Sequence, residues 1–139
     1  MSSAQAILII GGLANFLFSS LAGFFILWLR TRDVTVSLSR YAVLTHTSAV
    51  MNASLLLGLS FAIPHTGFIP TINNGIAVVE VIASVLSSVR NVLSWKNGYS
   101  DAIAQGGDTS NRLRGLVNML HLLGAAALLY GVTRSTLGA

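Results

Sequence analysis

The chain has 139 residues, of which 53% are hydrophobic and 9% charged, with a mean hydropathy of +0.74, far outside the usual range for soluble globular domains. Its formal charge of +4 comes from eight Lys and Arg against four acids, and the basic residues stand at the ends of apolar runs. That is a pattern of membrane orientation and not of nucleic-acid binding. There is no cysteine, which excludes disulfides, iron–sulfur clusters, thiolate-ligated heme and cysteine nucleophiles, so a metal would have to bind through His, Asn, Asp, Glu or Tyr.

The first apolar run, Gln5 to Leu29, is long enough to cross a hydrocarbon core of about 30 Å at about 1.5 Å per residue, and predicts helix 1. A cleaved signal peptide is the rival reading, but the start MSSAQ carries no Lys or Arg and the run exceeds the usual apolar region of such a peptide. Gly11, Gly12, Ser19, Ser20 and Gly23 offer small surfaces for close helix approach, Ser19 and Gly23 forming a small-xxx-small pair. A polar connection with Arg30, Arg32, Asp33 and Arg40 leads to helix 2, expected over 41–64 and ended near Pro64, because the following His65-Thr66-Gly67 and then Pro70 cannot continue a regular helix. Helix 3 is expected over 73–95. A long polar loop, 96–114, made flexible by Gly106-Gly107, separates it from helix 4 at 113–132. The expected fold class is therefore all-α, one integral membrane four-helix bundle of up-down topology spanning 1–139.

Four spans put both termini and the 2–3 connection on one side. That side carries only Arg134, whereas the other carries Arg30, Arg32, Arg40, Lys96, Arg112 and Arg114, with Arg90 close by. The positive-inside rule makes loops 1–2 and 3–4 cytoplasmic and places both termini opposite.

Polar residues inside the spans are the candidates for function. His46 stands six residues from Arg40 and His121 seven from Arg114, which places both imidazoles roughly 9 to 11 Å from the basic side. On helix 3, Glu80, Ser84, Ser88, Asn91 and Trp95 share one face. On helix 2, the seams Thr45, Ser48, Asn52 and His46, Ala49, Ala53 face protein, and Leu44, Met51 and Leu55 face lipid. An intramembrane ionisable group is costly enough to suggest a role. His46 is either a packed histidine bonded to a carbonyl or serine, or an axial ligand to heme iron. His121 pairs plausibly with Asn118, and Glu80 is either a proton-handling group or the partner of a serine or asparagine across the bundle. His65, beside prolines at the far interface, is expected to be solvated. No phosphate loop, HExxH motif or Ser/His/Asp arrangement is present.

Helix 2 and its exit carry two adjoining motifs. HTSAVMN at His46 to Asn52 fits His-[Ser/Thr]-x-x-x-x-Asn, and FAIPHTGF at Phe61 to Phe68 fits Phe-x-[Leu/Ile]-Pro-x-x-Gly-Phe. In these, and in length and four-span layout, the chain resembles the styrene oxide isomerases of bacterial styrene degradation. The resemblance implies a heme b enzyme that converts a small hydrophobic epoxide to an aldehyde or ketone, working as a homotrimer with heme at subunit boundaries. It implies His46 as the axial iron ligand and Asn52 as a residue that positions substrate. The family's catalytic tyrosine on helix 3 is absent: the ungapped comparison puts Asn91 there, and a short gap would put Trp95 there. On one ideal helix His46 and Asn52 point about 120° apart, so they serve one site more easily if a neighbouring subunit contributes one of them. Two other functions remain open from sequence: a cytochrome b-type electron-transfer or anchor subunit with His46 and His121 clamping one iron, and a cofactor-free structural subunit.

Overall fold

The computed structural model describes residues 1–32, 39–99 and 107–138; the expectations for the connections at 33–38 and 100–106, the flexibility around Gly106 included, fall outside them. Four helices follow in order: α1, Ser3–Arg32; α2, Arg40–Ala62; α3, Pro70–Lys96; and α4, Gly107–Leu137, with a short 3₁₀ turn, Ile63–His65, after α2. All four are long and apolar enough to cross a membrane. Even the shortest, at 23 residues, covers a core of about 30 Å at about 1.5 Å per residue. Only 22 to 33% of each span's apolar window is buried within the chain, so most of its hydrophobic side chains have no protein to pack against and belong in lipid or against another copy. The protein is an all-α, multi-pass integral membrane bundle.

The helix ends follow local chemistry. The Ser39 hydroxyl accepts from the Tyr41 N–H and starts α2 one residue before the expected Tyr41. Pro64 does not stop the chain coiling: it begins the 3₁₀ turn, and Gly67, at φ 67°, makes the reversal. Pro70 was expected as a breaker but stands at the first position of α3, where its missing N–H costs nothing, so the helix begins three residues earlier than expected. At the far end α4 runs past both of its expected limits.

The core is built from small residues. α1 and α2 form the closest pair because Gly12 admits Leu57: a Cβ at Gly12 would stand 2.8 Å from Leu57 Cγ. Gly11 likewise admits Val81 of α3, at 2.6 Å from Cγ2. Ala49 and Ala53 are fully buried and Met51 is exposed, as the seam pattern of helix 2 requires. α3 is the hub, touching α1, α2 and α4, while α4 packs on α3 and on the 3₁₀ turn. Gly131 of α4 meets Phe68 and Thr66, which brings the C-terminal end of α4 beside the turn. Gln5 donates to the Ser60 carbonyl, which brings the start of α1 to the same end. Both ends of the chain and the 63–70 turn therefore lie together, as up-down topology demands.

Candidate functional site

His46 is held by α1. Its Nδ1 lies 2.8 Å from Ser19 Oγ and 2.9 Å from the Ser19 carbonyl oxygen, while Ser19 Oγ donates to the His46 carbonyl at 3.0 Å. These contacts fix the tautomer. The Ser19 hydroxyl spends its one proton on the His46 carbonyl, and the Ser19 carbonyl can only accept. Nδ1 must therefore carry the ring proton, which leaves the lone pair on Nε2, and Nε2 has no hydrogen-bond partner among the described residues. The ring reaches this position because residue 23 is glycine: a Cβ there would stand 3.1 Å from both Cε1 and Nδ1. The small pair Ser19 and Gly23, legible in sequence only as a packing motif, is the cradle of the imidazole.

Such an imidazole is a competent metal ligand. Neutral histidine that donates from one nitrogen to a backbone carbonyl presents the other to a metal, and that outer contact sets the ring's orientation and basicity. Among the described residues no three His, Cys, Asp or Glu stand together as a metal-binding group. A metal held here would have a single protein ligand and would bring its other donors with it, as the iron of a porphyrin does. The donor chemistry at His46 thus fits heme b.

Asn52 and Asn91 face the other way. Asn52 Nδ2 donates to the Ser84 carbonyl of α3 across a long 3.4 Å, so its amide is only loosely held. Asn91 is 3% exposed and engaged at both ends: Nδ2 donates to Ser48 Oγ of α2 at 2.7 Å, and Oδ1 accepts from Arg90 at 3.2 Å. It knots α2 to α3. Within one chain, then, His46 addresses α1 and the two asparagines address α3, and the three do not converge. Trp95, the alternative at the family's tyrosine position, packs its ring edge-on against Phe25 of α1 with centroids 5.8 Å apart.

Glu80, Ser84, Ser88 and Asn91 of the helix 3 stripe are buried, joined by Ser87 and Ser94, while Trp95 is half-buried. The head of the stripe, Glu80, has an unexpected partner: Oε2 lies 2.6 Å from His121 Nδ1 of α4. Neither the Asn118 pairing expected for His121 nor the serine or asparagine expected for Glu80 is found. Gly124, one turn along α4, makes the room, since a Cβ there would stand 2.8 Å from Glu80 Cδ and closer still to Oε1. Oε1 is buried and, like Ser84 Oγ and Ser88 Oγ, has no hydrogen-bond partner. His46 and His121 address different helices and are not placed as a facing pair within one chain. His65 is exposed on the 3₁₀ turn, as expected.

One residue went unnoticed in sequence. Asn15 of α1 is 5% exposed, donates to the Gly11 carbonyl at 2.9 Å, and lines a groove of about 440 Å³ between α1 and α3 with Phe18, Val85, Ser88 and Val92. Apart from Asn15 and Ser88 the groove is apolar. An asparagine within an apolar run was the available signal, and it was hidden by the glycines and serines around it.

Comparison of the chain with protein-family models, with characterised proteins and with solved structures gives no match.

Proposed function

We propose that the protein is a membrane-embedded heme b isomerase that opens a small hydrophobic epoxide to an aldehyde or ketone, with His46 as the axial ligand through Nε2. The observation that carries the proposal is the placement of His46: Nδ1 bonded to Ser19, Nε2 without a hydrogen-bond partner among the described residues, and the half-buried ring seated on Gly23. The contacts with Ser19 are those a packed histidine makes as well, and the unpartnered Nε2 is what favours the ligand. The resemblance of His46 to Asn52 and Phe61 to Phe68 to the styrene oxide isomerases supplies the reaction class.

Ferric heme, if held by His46, would supply a Lewis acid for an epoxide oxygen. The chain supplies the rest. Ser19 orients the imidazole. The apolar helix faces exclude water and admit a hydrophobic substrate directly from lipid, where it concentrates. Asn52, whose one hydrogen bond is long, keeps an amide donor available to an oxygen on which negative charge develops. Asn91 has both ends of its amide committed, so its part is to hold α2 against α3 and keep Asn52 in place. Because His46 and Asn52 do not converge within one chain, a complete site draws on a second copy, as the homotrimer implied by the resemblance would provide. Loops 1–2 and 3–4 face the cytoplasm in this proposal, on the balance of Lys and Arg.

The test is incubation of the purified, heme-loaded protein with an aryl epoxide and analysis of the products. The proposal expects the corresponding aldehyde or ketone to form without added reductant, and at a much reduced rate with Asn52→Ala. Return of unchanged epoxide, or of the diol alone, from heme-loaded wild type contradicts it.

A further inference from the structure

The Glu80–His121 contact fixes the register of the antiparallel pair α3 and α4. From it, ten residues along α3 reach Arg90 and seven back along α4 reach Arg114, so the two come level, within about a turn, at the end of the bundle opposite the 63–70 turn. Both are half-buried. Arg90 has five N–H donors, and its one hydrogen-bond partner among the described residues is the Asn91 amide oxygen. Among the described residues, the charged or titratable groups that face it are Arg114 from α4 and Tyr41 from α2. The one carboxylate whose side chain is described, Glu80, lies ten residues away and is held by His121.

Two guanidiniums drawn partly out of water on neighbouring helices repel each other and leave donors unsatisfied unless an anion stands between them. Their depth says which anion. Trp28, Tyr41 and Trp95 lie at the same end of the bundle, and such rings sit at the headgroup level of a bilayer. Arg32 also lies there, its guanidinium 4.4 Å from the Trp28 ring centroid. Arg40, Lys96 and Arg112 are exposed at this end and supply a positive field that gathers anionic lipid. The guanidinium fork matches phosphate oxygens two at a time, which a flexible ammonium does not.

We infer that Arg90 and Arg114, the first steadied by Asn91, form a binding site for the phosphate of an anionic membrane phospholipid. The inference stands apart from the heme proposal and from His46. Its test is native mass spectrometry and thermal unfolding of the whole chain in mixed micelles containing phosphatidylglycerol or phosphatidylcholine. Wild type is expected to retain phosphatidylglycerol and to unfold at a higher temperature with it than with phosphatidylcholine. Arg90→Gln/Arg114→Gln is expected to lose both effects, and Arg40→Gln/Lys96→Gln/Arg112→Gln to keep the retained lipid. Should the first variant not fold, Arg114→Gln alone is read by the same spectra and is expected to lose the lipid. Equal behaviour in the two lipids, retention by the Arg90/Arg114 variants, or equal loss in the triple variant would overturn the site. Equal protection by inorganic phosphate at matched concentration would overturn the lipid as its occupant.

Discussion

Replacing Gly124 by alanine probes the contact that holds α4 to the bundle. Alanine adds one methyl group, yet its Cβ would stand 2.8 Å from Glu80 Cδ and 3.1 Å from Cγ. A flexible side chain normally yields to such a neighbour at little cost. Glu80 cannot, because it is 1% exposed and its carboxylate is held by His121 at 2.6 Å. Moving it breaks that bond and leaves a second buried carboxyl oxygen without a donor beside Oε1, which already lacks one. Losing that hydrogen bond and leaving a buried oxygen unpaired costs about 1–3 kcal/mol, fitting the extra methyl costs about 1–3 kcal/mol, and alanine's better helix propensity returns about 1 kcal/mol, so the expected net loss is about 1–5 kcal/mol. The assay is reversible unfolding in mixed micelles, followed by far-UV circular dichroism, for wild type, Gly124→Ala, Glu80→Gln and the double variant. If the methyl acts through the pair, the two substitutions will not add, with a coupling of about 0.5–3 kcal/mol. A Gly124→Ala protein as stable as wild type would refute the reasoning, and so would strict additivity.

Ser19→Ala removes a hydroxyl acceptor from Nδ1 and leaves the backbone carbonyl, so heme should still bind but about 10–100-fold more weakly, as is usual for a partner of a metal-ligating histidine. Heme titration of the apoprotein measures this, and unchanged affinity would detach Ser19 from the site. Asn91→Leu removes the bridge to Ser48 and should lower stability by about 0.6–1.7 kcal/mol, the range found for hydrogen bonds between membrane helices. Unchanged stability in the same micelle unfolding assay would remove Asn91 from the α2–α3 contact.

The number of spans, their up-down order and the exposed side of helix 2 were legible in the sequence, because each rests on a long-range regularity: apolar run length and helical period. What the sequence withheld depends on which helix lies beside which. The side of α2 bearing His46 was clear, but that Ser19 would meet it on α1 follows from the approach that Gly12 and Gly23 permit. His121 looked like a neighbour of Asn118 because a turn of helix joins them, yet a carboxylate on another helix offers a stronger bond and took it. Pro70 was misjudged for a local reason: a proline ends one helix or opens the next, and only the turn at Gly67 decides between them.

The most direct test is the absorption spectrum of the protein purified from heme-supplied cells, compared with His46→Ala and His121→Ala. The proposal predicts a high-spin, five-coordinate ferric heme b spectrum in wild type and in His121→Ala, and its loss in His46→Ala. A colourless wild type, or a His46→Ala protein that keeps the wild-type spectrum, contradicts it.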